Sequence, residues 1–249
     1  MPSTKKVGTP GPANDKIGGV PTLHYFDFFS KGRGQVVRLF WEVCIRPLPP
    51  LPPPQLTRLP PQDAEIAYED IRYTFSEFPQ HKSKISEMNP TASVPVIELN
   101  GRILTQSYAI LRRMARQLGA YDGETEEEKY WADAMCDVAV DWRTLFVIAF
   151  LSPNKETAYP KHKETDRKRY LGALERHLSS HEASVRGPYV LGDRISYADF
   201  VVYQICHDEE LTKNGREGMR EYPRLVKLVD AMEERPNVKR FLESDRYLG

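Results

Sequence analysis

Apolar and polar positions along this chain follow two rhythms, and the change from one to the other divides it. In the first half, apolar residues come in short runs. TLHYFDF (22–28) and IAYEDIRY (66–73) are rich in strand-favouring side chains, and each predicts a strand. Between them Gly32 and Gly34 predict a turn, and 35–44 a helix whose Val36, Val37, Phe40, Trp41 and Cys44 share one face. SEFPQHKSKISEM (76–88) predicts a short, irregular helix. SVPVIELNGRILTQS (93–107) predicts a hairpin turning at Asn100-Gly101, because these residue types tolerate the positive φ of a tight strand reversal. A helix from Ser107 to about Leu118 follows.

Past a break at 119–123 the rhythm becomes helical. Trp131, Met135, Val138, Trp142, Leu145 and Ala149 alternate steps of four and three, which predicts one long helix with a continuous apolar stripe. A charged helix is expected over about 164–184. In GDRISYAD (192–199), Ser196 stands as an N-cap with Asp199 three residues on, a capping box with Asp in place of the usual Glu. Leu225, Leu228, Val229 and Met232 mark another helix, and Pro236 opens a last one at its favoured first position. The stripes are read as core packing. The whole pattern is α+β: an N-terminal thioredoxin-like domain of order βαβ-α-ββ-α, with parallel early strands and an antiparallel hairpin, followed by an all-α helical domain. The expected bounds are 21–118 for the first domain, 119–126 for a linker and 127–249 for the second.

Two segments stand apart. Residues 1–20, rich in Gly, Pro, Lys and Ser, are expected to form a disordered tail. Residues 46–65 are expected to be an insert in a surface connection. Eight prolines fall between Pro47 and Pro61, a density that excludes helix and central sheet.

Charge and cysteine usage narrow the partners. Lys plus Arg and Asp plus Glu balance at 35 each, which favours neither nucleic acid nor an anionic membrane. No apolar run approaches the roughly 18 residues that span a bilayer, and no apolar stretch follows the N-terminal lysines. Cys44, Cys136 and Cys206 stand far apart without a CxxC, and of the six histidines only His177 and His181 pair, as a single HxxxH with no carboxylate or cysteine completing a ligand-like motif. A metal site is therefore not expected, and the sparse cysteines fit a reducing, cytoplasmic compartment. The charge runs at 126–128, 161–163 and 167–169 are read as solvated helix faces.

Candidate chemistry gathers on the hairpin. Pro95 at a strand start gives up one backbone N–H and leaves neighbouring groups free to face a ligand. Gln106 and Ser107 offer side-chain and backbone donors at a helix N-terminus, where a carboxylate is favoured. Together they predict a site for an extended, acid-bearing peptide.

Residues 95–107 resemble the glutathione-binding segment of cytosolic glutathione transferases, and the likeness extends through most of 22–249, with sigma-like members of fungal type as the subclass it resembles. GDRISYAD is similar to the family's capping motif, GDxxSxAD. LHYFDFFSKGRGQVVRLF resembles the family's opening, where a tyrosine in a YF setting activates the thiol. The resemblance implies Tyr25 as that tyrosine and Arg33 as the arginine of the GR pair. This chain departs from the usual YFxxxGR by two extra residues, and the longer loop holds Ser30. Some branches use a serine at the start of the first helix, so Tyr25 and Ser30 both stand as candidate activators.

Other assignments follow from the same likeness. The backbone of Val94, before a cis Pro95, would pair with the cysteinyl unit of glutathione, and Gln106 and Ser107 would hold its γ-glutamyl carboxylate. Phe78 falls where a tryptophan is frequent, and Lys82 matches a lysine that pairs with the glycyl carboxylate. Asp141 matches an acid that reaches the ligand of the neighbouring subunit, which implies a homodimer. A second-substrate pocket is expected from Phe28, Phe29, Arg143, Phe146, Phe150 and Tyr247, whose aromatics favour a flat, apolar electrophile.

Glutathione is thus implied as co-substrate or as cofactor. One reading is a transferase that activates the thiolate and adds it to an apolar electrophile. Another is an isomerase, in which thiolate adds to a conjugated enone, the former double bond rotates, and glutathione leaves, as in amino-acid catabolism and natural-product pathways. A third is a non-catalytic binding or regulatory module, because a fold does not fix a function.

Overall fold

The computed structural model describes residues 2–43 and 66–247, so Cys44 and the 46–65 insert lie outside the described residues. Five strands make one mixed sheet: β1 (Ser3–Val7), β2 (Thr22–Phe26), β3 (Tyr68–Tyr73), β4 (Val96–Leu99) and β5 (Arg102–Thr105), in the order β1-β3-β2-β4-β5. β2 and β3 are parallel, while β4 runs antiparallel to both β2 and β5. Asn100 and Gly101 take φ of 48° and 72°, as the tight hairpin requires. With α2 (Arg33–Val43), α3 (Phe78–Met88) and α4 (Ser107–Leu118), the expected βαβ-α-ββ-α order is present and the domain is thioredoxin-like.

The expected disordered tail is corrected. Residues 3–7 form β1, which pairs antiparallel with β3 from Ser3 opposite Arg72 to Val7 opposite Tyr68. A short helix α1 (Pro12–Ile17) follows, with proline in its first turn and Gly18 left-handed at its end. Buried Asn14 clamps this segment to the sheet. Its amide donates to the carbonyls of Ala67 (2.8 Å) and Gly19 (3.1 Å), and its oxygen accepts from the Ala67 N–H (3.0 Å). An edge strand is held by main-chain bonds, so its polar, Lys-rich side chains gave no apolar signal.

The second part is helical: α5 (Glu126–Phe150), α6 (Lys155–His162), α7 (Lys168–Ser180), α8 (Tyr197–Asp208), α9 (Pro223–Glu233) and α10 (Pro236–Leu242). The charged helix expected over about 164–184 begins earlier and ends sooner. α6 and α7 are joined through a π-helical turn at Lys163–Arg167, and Pro160 sits inside α6. That internal proline masked the early start, because proline ordinarily ends a helix.

α8 is buried along its whole length. It begins at the expected capping box. The Asp199 carboxylate accepts from the Ser196 N–H (2.7 Å), the Ser196 hydroxyl (2.9 Å) and the Val190 N–H (2.7 Å). Burial still pushes the Asp199 carboxyl up to about 6, against these donors. Ser196→Ala removes one donor and the cap, so a loss of about 1 kcal/mol or somewhat more is expected in denaturant unfolding. An unchanged midpoint would show that the cap carries no stability.

Candidate active site

Register brings three distant residues level. β2 pairs with β4 through His24 opposite Val96, so the next row sets Tyr25 beside Pro95. β4 pairs with β5 through Val96 opposite Thr105, so the same row continues to Gln106. The Val94–Pro95 peptide is cis, and Gln106 holds φ 67°, an uncommon value for a residue with a side chain. Ser107 then opens α4. Its Oγ is buried with no hydrogen-bond partner among the described residues, which suits a ligand carboxylate arriving at this helix start. Arg33 is brought to the same place, its guanidinium 5.6 Å from the centre of the Tyr108 ring.

Tyr25 alternates with Leu23 onto the core side of β2 and is 6% exposed. Its ring lies against the backbone of the following loop. A Cβ at Gly34 would come within 2.1 Å of the ring, and one at Gly32 within 2.4 Å of the hydroxyl oxygen, so both positions require glycine. Burial raises the pKa of the phenol, and a backbone N–H from Gly34 and the nearby Arg143 cation only partly oppose this. Tyr25 therefore keeps its proton at neutral pH and can donate it in a hydrogen bond.

The longer loop is anchored by the helical domain. Phe29, Ser30 and Gly32 all take positive φ. The Gly32 N–H donates to Asp208 Oδ1 at 3.0 Å, and the Gln204 amide donates to the Ser30 carbonyl at 3.2 Å. Asp208 also accepts from Gln204 (2.8 Å) and pairs with Arg143, both partners of that pair being 1% exposed. The end of α8 thus sets the loop above Tyr25. Ser30 is itself buried within this anchored loop.

Next to the loop an aromatic group forms. Phe28 lies 6.5 Å from Phe150, which lies 5.3 Å from Phe146, and exposed Phe29 lies 6.2 Å from Phe28. Two further members went unread in the sequence. Phe75 packs 5.2 Å from Phe28, and Tyr159 5.7 Å from Phe150. Neither position shows any periodicity that would single it out; only the fold collects them.

Two family models match the chain: the glutathione S-transferase C-terminal domain over residues 140–245 and the N-terminal domain over 58–116. Over 181 residues the chain is 30% identical to hematopoietic prostaglandin D synthase of Gallus gallus, covering 72% of this chain and 84% of that relative. The chain belongs to the cytosolic glutathione transferase family. It is also 27% identical over 233 residues to glutathione S-transferase alpha-3 of Rattus norvegicus, covering 90% of this chain and 89% of that one. Its fold matches the pi-class glutathione S-transferase of Onchocerca volvulus with a TM-score of 0.70 at 23% identity, over 90% of this chain and 92% of that chain. The N-terminal family match begins after β2, so Tyr25 lies outside it.

The remaining expected residues fall into two groups. Lys82 is exposed on α3 with no ion pair among the described residues, and Asp141 is exposed on α5. Phe78 instead packs inward, 4.7 Å from Phe26 and 5.8 Å from Tyr73, and fills the small apolar cluster under the sheet. Two expected pocket residues are corrected. Arg143 does not line the aromatic group, because its side chain is buried against Asp208. Two residues along a helix turn it by about 200°, so Arg143 and Asp141 face opposite ways. Tyr247 packs against Phe241 at 5.7 Å, with its hydroxyl 3.1 Å from His207 Nδ1, as part of the C-terminal packing.

Proposed function

We propose that this chain binds glutathione along the Pro95–Gln106 row, holds its sulfur as thiolate with the Tyr25 hydroxyl, and adds it to a flat, apolar electrophile lying on the Phe28–Phe146–Phe150 group. The observation that carries the reading is the level row of a buried, protonated phenol, a cis-proline strand start and a helix opening with an unpartnered buried hydroxyl. A free thiol ionises near about 8.5. Lowering that by about two units takes roughly 2.7 kcal/mol, which one charge-assisted hydrogen bond and the local donors supply. Val94 offers its backbone to the cysteinyl unit, Gln106 and Ser107 take the γ-glutamyl carboxylate, Arg33 stands behind them, and Lys82 takes the glycyl carboxylate as a point charge. Asp141, facing outward, serves the ligand of a second subunit, so the working form is a homodimer. We place the protein in the cytoplasm, as a sigma-like, fungal-type member; no described helix is long and apolar enough to cross a membrane.

A second reading keeps the binding step and changes the outcome. The relative named for prostaglandin D synthesis supports chemistry other than simple conjugation on this fold. In that reading glutathione acts as a cofactor, and a conjugated natural-product intermediate is isomerised. Product mass decides between them. With a conjugated enone, an adduct heavier by one glutathione is the expected result, and recovered free glutathione with an isomerised product would replace the first reading by the second. Failure to be retained on immobilised glutathione, with no turnover of a generic electrophile, would leave only a non-catalytic module.

A further inference from the structure

The opposite end of the β4–β5 hairpin carries a cavity of about 230 Å³ that the proposed reaction does not use. Ile17 at the end of α1 lines one side, Leu99 and Leu104 of the hairpin line another, and Arg113 and Gln117 of α4 a third. Arg102, just past the turn, completes it. Arg113 Nε and Gln117 Oε1 are buried without hydrogen-bond partners among the described residues. These two side chains stand one turn apart on the same helix face, and both line the cavity. Buried polar atoms ordinarily find partners, and a guanidinium N–H left bare is costly. Among the described lining residues there are two guanidiniums and no carboxylate to balance them.

We propose that this cavity is a second binding site, for a small organic oxyanion: a carboxylate or phosphate monoester on a compact apolar body. The planar forks of Arg102 and Arg113 match an oxyanion in two directions. Ile17, Leu99 and Leu104 cover the apolar part, and Gln117, whose unpartnered Oε1 accepts, faces a hydroxyl or other donor on the ligand body rather than the oxyanion. The β1–α1 segment supplies one wall of the cavity, held in place by Asn14 and by Lys16, whose ammonium donates to the Leu118 carbonyl at 3.1 Å. Leu99 stands four strand residues from Pro95, roughly 13 Å at about 3.4 Å each, and Leu104 two from Gln106, roughly 7 Å, and the cavity shares no lining residue with the row, so both sites can be filled together.

Calorimetric titration of the full chain with phenyl phosphate and with benzoate tests this, with benzyl alcohol as the uncharged control. One saturable event per chain is expected for at least one anion, none for the alcohol, and the same affinity when S-hexylglutathione fills the transferase site. Arg113→Gln should weaken binding about tenfold or more, and Arg102→Gln, on the exposed hairpin end, should do so without disturbing the fold. A phosphate-only or benzoate-only response tells which oxyanion the site takes. No saturable heat up to about 10 mM, equal affinity in both variants, or loss of binding with S-hexylglutathione present would each overturn the proposal. The titration without S-hexylglutathione needs no glutathione binding, so its result stands whatever becomes of the proposed reaction.

Discussion

Replacing Tyr25 by phenylalanine is expected to lower turnover about tenfold to a hundredfold while leaving glutathione retention nearly intact. The substitution removes one charge-assisted hydrogen bond to sulfur, worth about 1.5–3 kcal/mol, and each 1.4 kcal/mol is a factor of ten. The same loss moves the pH at which bound thiolate forms upward by about one to two units. Ultraviolet titration of the bound thiolate reads this directly. The phenol keeps its own proton through the neutral range because burial raises its pKa, so the titration reports sulfur rather than tyrosine. Tyr25 is packed under Gly32 and Gly34, and the isosteric ring of phenylalanine keeps that packing. Ser30→Ala is the companion measurement. An unshifted profile in Tyr25→Phe together with a shifted one in Ser30→Ala would transfer the role to the serine.

The second large effect is expected from Asp208→Ala, a position with no part in the chemistry as drawn. Asp208 holds Arg143, the Gly32 N–H and the Gln204 amide at once, and the Arg143 pair is fully buried. Removing one partner of a buried ion pair leaves a bare charge and costs about 3–5 kcal/mol. For a protein of this size each kcal/mol moves the melting midpoint by about 2–4 °C, so a drop of roughly 6–20 °C is expected. The double variant Arg143→Leu with Asp208→Leu should regain much of this, since the bare charge goes with its partner. The freed loop should also raise the KM for glutathione more than it lowers kcat. A single variant that melts within a degree of the parent would show that the pair is not structural.

The hairpin, α4 and the long α5 were legible in the sequence because each carries a local signal: Asn-Gly between apolar runs, or a stripe at helical spacing. The capping box at Ser196 was legible for the same reason. The roles of Arg143 and Tyr247 were not, because sequence shows which helix a residue occupies but not what lies opposite its face. Asp208 was overlooked entirely. Its partners come from the first loop and from the middle of α5, far away in the chain, and no spacing rule joins them. The strand at Ser3–Val7 was not legible, since backbone pairing at a sheet edge leaves no mark on side-chain composition.

That pairing bears on how the chain behaves outside the cell. β1 closes the outer row of β3 amides and carbonyls, and its own outward side chains are Ser, Thr and Lys. Trimming the first eight residues would uncover that row, and uncovered strands recruit one another. A shortened chain would keep its catalytic machinery and lose its colloidal good manners, precipitating as concentration rises.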